Sequence, residues 1–188
     1  MSRSLHTKRL HTDHLEAKYG KISANVVMHN DTMRKVNLID KDGISRTFSL
    51  VFFYNHKNKL FKKINDKLKN DGLIGKTFRE HGYIIYKNIL LTGTIKLPEW
   101  LRHNFKTQSN YASTKAYVLC VQKKPFKPVK YGTVVEIYAP DFLQPSSNSV
   151  NFLKTNNEYN SSLAINMIRK ILSHINAPIY DIILKKPS

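Results

Sequence analysis

The chain has 188 residues, of which 31 are Lys or Arg and 13 are Asp or Glu, leaving a formal net charge of +18. That length with 41% hydrophobic residues supports one ordinary core and excludes a disordered chain. A pI near 10 turns the partner list toward anions: nucleic acid, acidic lipid or a small polyanion. Asn, Ile, Tyr, Phe and Lys are also residues of AT-rich codons, so the lysine excess has a purely compositional reading as well.

The single cysteine, Cys120, excludes an internal disulfide and any CxxC redox or metal motif. It lies in an apolar strand-like run, where a buried inert thiol is expected. The longest apolar stretch, residues 48–54, is far short of a membrane span. The expectation is a soluble protein of a reducing compartment, cytoplasm or organelle matrix. Residues 1–9 carry Arg, Lys and Ser without acids and read as a flexible N-terminus with some presequence character.

In chain order, "TDHLEAKYG" predicts a short helix capped by Thr12 or Asp13 and stopped at Gly20. Residues 21–28 alternate as a strand, and 34–40 and 44–54 follow as a hairpin turned at Asp42-Gly43. Leu60, Phe61, Ile64 and Leu68 then recur at helical spacing, with lysines between them, predicting an amphipathic helix that ends before Gly72. "GYIIYKNILLTGTIKL" reads as extended structure broken near Gly93, and "PEWLRHNF" as a helical turn starting at Pro98. "TKAYVLCVQ" and "GTVVEIYAP" form an antiparallel pair around the basic loop "KKPFKPVKY". Residues 144–160 read as an Asn/Ser-rich loop. Residues 161–188 read as a helix and an extended tail packed on the domain or on a partner, with Leu163, Met167, Ile168, Ile171, Leu172 and Ile175 on one stripe. The order lacks a βαβ rhythm, so the predicted class is α+β: an antiparallel sheet with helices on one face, in a domain spanning 10–143.

Two residues stand out against that pattern. Arg46 opens an apolar strand, and an arginine entering a half-buried strand needs an anionic partner because its guanidinium stays charged. Glu136 lies inside "GTVVEIYAP", on the strand face of Val134 and Tyr138. If that face is inward, a buried acid and a buried base share one sheet. An internal ion pair, or a Glu on an outward face, is the competing reading.

The hairpin "RKVNLIDKDGISRTF" resembles the strand, Asp-Gly turn and Arg-Thr or Arg-Ser strand of the chorismate pyruvate-lyase family, whose fold is shared with the UTRA ligand-binding domains of transcription regulators. "TDHLEAKYGKISANVVM" is similar to that family's helix, glycine and strand opening. "GLIGKTFREHG" is similar to its Gly-Lys/Glu-Thr-Pro-Leu-Gly segment, and "VVEIYAP" to its Thr-Glu-Leu/Val-Phe-Leu-Pro strand. The matches are collinear over roughly residues 10–142. The resemblance implies a six-stranded antiparallel sheet with helices over an enclosed site that takes a small aromatic or cyclic carboxylate. It implies either a lyase that uses no cofactor and eliminates pyruvate from chorismate to leave 4-hydroxybenzoate, or a UTRA-like sensor without turnover. Arg46 would hold the ring carboxylate, Glu136 the hydroxyl end, and backbone N–H groups near Ile74 and Gly75 would complete the grip. An acid held in such a dry site is expected to have its pKa raised. The chain departs from the pattern where Phe78 and Arg79 replace the Pro and Leu, and where loop 123–130 is inserted.

A basic alternative stays open. Lys62, Lys63 and Lys67 on the amphipathic helix, with Lys123, Lys124 and Lys127 in the loop, interleave with Phe61, Phe126 and Tyr131. A sequence-tolerant surface for RNA or a ribonucleoprotein needs that mixture of charge and π-faces, although a solvated lysine face is the plainer meaning. His6, His11 and His14 lack the Cys and acids that complete a metal site, so no metal is expected.

Overall fold

The computed structural model describes residues 10–54, 58–142, 166, 169, 170, 172, 173 and 179–184. Among these, seven strands form one antiparallel sheet: β1 (Ser23–His29), β2 (Met33–Ile39), β3 (Ser45–Phe53), β4 (Ile84–Lys96), β5 (Tyr111–Gln122), β6 (Val129–Tyr138) and β7 (Ile179–Leu184). Their order across the sheet is β1-β2-β3-β6-β5-β4-β7. The helices are α1 (His11–Tyr19), α2 (Lys62–Asn70) entered through a 3₁₀ turn at Lys59–Phe61, α3 (Ile74–Glu80) and α4 (Glu99–Phe105). The predicted α+β class with an antiparallel sheet is the observed one. No helix among the described residues is long and apolar enough to cross a membrane.

The β2–β3 hairpin turns as its sequence predicts, with Gly43 at φ 71° and Asp40 Oδ1 accepting from the amides of Asp42 (2.9 Å) and Ile44 (3.0 Å). β3 then pairs with β6, the central strand of the sheet. Gly132 permits that approach, because a Cβ there would lie 2.4 Å from the Phe52 carbonyl oxygen.

Alternation along the strands sorts the core into two layers. Val51, Val134, Leu38 and Tyr138 face α1, α2 and α3, whose Leu15, Ile64, Leu68 and Phe78 are fully buried. Phe78 is edge-on to Phe61, Tyr83 and Tyr131, with ring centroids 6.0, 5.4 and 4.8 Å away. The opposite face carries Phe48, Leu50, Val135 and Ile137 under Leu101 and Phe105 of α4. Leu172 joins this second layer, so helical residues cover both faces rather than one.

One further expectation changes. The extended run at 84–96 is a single strand, not one broken at Gly93, which pairs with Thr114 on one side and Ile182 on the other. The irregularity is a bulge at Leu90 instead, between Ile89 and Leu91. The segment "IGKTFRE" is helical, docked through Thr77 and Phe78 and opened by the bond from the Thr77 amide to the Leu73 carbonyl at 2.8 Å. The predicted extended tail is β7, which pairs antiparallel with β4 from Leu91↔Leu184 to Ile95↔Ile179. Residues 1–9, the loop expected at 144–160 and the remainder of the 163–175 stripe lie outside the described residues.

Candidate functional site

Strand alternation turns Glu136 toward α1 and α3, with Ser49 of β3 as its neighbour across the ladder. There the sheet and the first residues of those two helices enclose a cavity of about 60 Å³, bordered by Arg34, Lys87, Tyr117, Glu136, His11 and Thr12 along with apolar side chains. Helix starts leave their first amides without intrahelical acceptors, which suits a negatively charged guest.

Glu136 is buried, and its two carboxylate oxygens accept from the hydroxyls of Tyr117 (2.9 Å) and Tyr138 (2.7 Å). Lys87 Nζ lies 3.9 Å from Oε2 and 4.3 Å from the centre of the Tyr117 ring. Burial alone pushes this carboxyl's pKa up, but the Lys87 charge and the two hydroxyl donors outweigh it and hold the pKa at about 2. The expected upward shift is therefore reversed, and Glu136 is a charged acceptor at neutral pH. The same proximity, added to burial, pushes the Tyr117 hydroxyl well above its ordinary pKa.

Arg34 is the arginine of the cavity. It is 1% exposed and projects from β2 on the face of Val36 and Leu38. Nε donates to the Leu68 carbonyl at 3.1 Å and Nη2 to the Gly72 carbonyl at 2.8 Å, so the guanidinium caps the end of α2. Burial lowers its pKa to about 10, which leaves it charged at neutral pH. Gly72 is tightly placed, since a Cβ would meet Leu68, the Lys67 carbonyl and Thr77 at 3.0 Å.

His11 Nε2 is 2.8 Å from Thr47 Oγ1, and the ring sits edge-on to Tyr138 and Phe142 at 5.2 and 5.5 Å. Desolvation lowers its pKa to about 4 against the attraction of Glu136, so the imidazole is neutral at pH 7. Thr12 Oγ1, also at the cavity, is buried without a hydrogen-bond partner among the described residues. Arg34 and Lys87 against Glu136 leave the site one positive charge in excess.

Compared with protein-family models and with curated proteins, the chain matches none.

Of the residues singled out by sequence, Glu136, Ile74 and Gly75 border this cavity together. Arg46 does not. β2 pairs Leu38 with Thr47 and Ile39 with Ser45, which makes Arg46 the extra residue of a bulge and re-aims its side chain. Its Nε reaches Asp40 Oδ2 at 2.7 Å, its Nη1 reaches Asp141 Oδ2 at 2.8 Å, and the guanidinium carbon stacks 4.1 Å from the Tyr19 ring centre. Arg46 is thus a clasp between the β2–β3 turn, α1 and the residues after β6.

Lys62 and Lys63 are exposed at the start of α2, and Lys123, Lys124 and Lys127 at the β5–β6 turn. Lys67 lies further along α2 and pairs with Glu80 at 2.6 Å. Among the described residues no three His, Cys, Asp or Glu side chains are grouped to hold a metal ion.

Sequence reasoning missed Arg34, Lys87 and Tyr117, and it named His11 only as a metal candidate. A signal existed for Arg34, which shares the alternation of Val36 and Leu38 and so points into the layer those residues fill.

Proposed function

We propose that the cavity binds a small monoanionic carboxylate, with Arg34 facing the carboxylate and Glu136 accepting from a hydroxyl group at the other end. The observation that carries this reading is the pairing of two buried, oppositely charged groups, Arg34 and Glu136, on one partly open cavity with a net excess of one positive charge. A guest with one negative charge neutralises that excess. Thr12 Oγ1 supplies an unused polar contact. In Glu136, the two tyrosine hydroxyls occupy two of about four acceptor positions, so a ligand hydroxyl still finds one.

The resemblance to the chorismate pyruvate-lyase family, and to the UTRA domains that share its fold, supplies the ligand class: a cyclic or aromatic hydroxycarboxylate. An antiparallel sheet with α1 and α3 over a cavity is compatible with that resemblance, although the sheet has seven strands rather than the six it implies. The arginine is exchanged, Arg34 serving in place of Arg46. If the chain turns chorismate over, whose second carboxylate exceeds the site's single excess charge, the ring loses a proton and its bond to the enolpyruvyl oxygen, becomes aromatic, and the released enol takes up a proton as pyruvate. With its pKa near 2, Glu136 is a feeble base, so its part is to hold the hydroxyl end while positioning and dryness favour the elimination.

Size sets a condition. The cavity is about 60 Å³, whereas an apolar cavity that takes benzene measures about 150 Å³. A ring therefore enters only as α1 and α3 move outward from the sheet.

The experiment is calorimetric titration with 4-hydroxybenzoate, benzoate and chorismate, with pyruvate followed in parallel. Arg34→Met should abolish binding, Glu136→Gln should remove the preference for 4-hydroxybenzoate over benzoate, and Arg46→Ala should bind as the unaltered protein does. Pyruvate release separates a lyase from a sensor. Carboxylate affinity lost with Arg46 and kept without Arg34 would overturn the assignment, as would no affinity for any of the three.

A further inference from the structure

The positive charge has a second focus, away from the cavity. Residues 58–65 and 122–131, the approach to α2 and the β5–β6 hairpin, contain no Asp or Glu. Lys123 Nζ lies 5.6 Å from the centre of the Tyr83 ring, and the Tyr83 hydroxyl donates to the Leu60 carbonyl at 3.4 Å, so Tyr83 joins the two segments. Lys59, Lys62 and Lys63 on one side and Lys123, Lys124 and Lys127 on the other are exposed, and none forms an ion pair among the described residues. Five acids are paired elsewhere, Asp13 to Arg79, Glu16 to Lys76, Glu80 to Lys67, and Asp40 with Asp141 to Arg46, while the exposed Asp66 on α2 borders the patch and offsets one of its charges.

Exposed apolar and aromatic side chains stand among these lysines. Phe126 is 68% exposed, Leu60 50% and Tyr54 43%. Phe126 is presented on a fixed loop: its amide donates to the Lys123 carbonyl at 2.9 Å and its carbonyl accepts from Gln122 Nε2 at 2.9 Å. Gln122 is held in turn by the Tyr86 hydroxyl at 2.6 Å. Tyr54 is tied to the same end of the sheet by its amide, which donates to the Tyr131 carbonyl at 3.1 Å.

We infer that this end of the sheet binds single-stranded nucleic acid, with the lysines on successive phosphates and Phe126 as a platform for a base. Charge without acids supplies sequence-independent attraction, and flat aromatic faces supply stacking that a duplex or a lipid headgroup does not use. The aromatic component argues against a purely electrostatic surface; insertion of Phe126 and Leu60 into an anionic bilayer is the competing use of the same mixture, and the vesicle arm of the test separates the two. The site is separate from the carboxylate cavity and stands whether or not that cavity is filled.

The test is fluorescence anisotropy of a labelled 20-nucleotide oligouridine with the full chain, over 50 to 300 mM salt. Three variants are compared: Lys123→Gln/Lys124→Gln/Lys127→Gln; Phe126→Ala; and Lys21→Gln/Lys41→Gln/Lys96→Gln, which removes as much charge from the opposite strand ends. The hairpin triple variant should flatten the dependence of log affinity on log salt by about 0.7 for each phosphate no longer neutralised. Phe126→Ala should weaken binding about fivefold or more at unchanged salt slope, and should not alter binding to a duplex of the same length. Equal losses from the two triple variants would mean that only net charge matters, and would overturn the site. So would failure to bind oligouridine at 50 mM salt, or binding to phosphatidylserine vesicles that depends on the hairpin lysines while oligouridine binding does not.

Discussion

Acid should weaken this fold through one imidazole. His11 is walled in by Tyr138, Phe142 and Thr47, and desolvation carries its pKa from 6.5 to about 4. A depressed folded-state pKa means that the unfolded chain binds the proton first, so the contribution is fully present above pH 6.5 and is lost as pH falls from there to about 4. At 1.36 kcal/mol per pH unit, the gap between 6.5 and about 4 is worth about 3 kcal/mol. That is a large share of the ~5–15 kcal/mol that holds a domain together. Urea unfolding at pH 7, 6, 5 and 4 should therefore show the protein losing about 3 kcal/mol more than its His11→Asn variant, whose amide can still meet Thr47. The carboxylates with lowered pKa, Asp13, Asp40 and Glu80, titrate in both proteins and cancel in the difference. Glu136 adds its own loss only below its ordinary 4.5, down to about 2, with the same sign. Stability curves that run parallel from pH 7 to 4 would refute the reasoning.

Three substitutions test the remaining geometry. Arg34→Met removes the donors to the Leu68 and Gly72 carbonyls at the end of α2 and should cost about 2–4 kcal/mol in urea unfolding. Arg46→Ala strands the Asp40 carboxylate, only 2% exposed, with the Asp42 and Ile44 amides as its remaining partners; the expected cost is about 2 kcal/mol, with carboxylate binding unchanged in calorimetry. Gly132→Ala drives a Cβ to 2.4 Å from the Phe52 carbonyl at the β3–β6 pairing and should destabilise by about 3 kcal/mol or more, seen as a lowered melting temperature.

The strands were legible where a local rule decides them. Asp40 braces the Asp42-Gly43 turn by accepting from the amides two and four positions on, and the predicted strand 114–122 concentrates Tyr117, Val118 and Val121 in a run too apolar for a surface helix. α3 was not legible for an equally physical reason. It has two turns, begins with a Gly at its second position, and is helical because Phe78 docks against three aromatic rings from other elements. The cover on the second face was hidden because α4 looks like an isolated turn until Leu101 and Phe105 meet Phe48 and Leu50.

The site shows where strand parity suffices and where it does not. Parity put Glu136 on the face of Val134 and Tyr138 without saying that this face is inward, and its ionisation follows from Lys87 and Tyr117, which β4 and β5 bring across the sheet; no local pattern predicts that a buried carboxyl will be held low rather than raised. Parity would also have chosen between the two arginines of the β2–β3 hairpin. Arg34 alternates with Val36 and Leu38 and so enters the layer under α2, where only a group with several donors could satisfy two stacked carbonyls. Arg46, drawn by the apolar run that follows it, alternates with nothing, because a bulge gives it no partner on β2. A bulge adds one residue to one strand and leaves no compositional trace when that residue is not glycine. Two arginines of one hairpin thus divide the work: one is committed to the cavity by its register, the other to the clasp that closes the turn on α1.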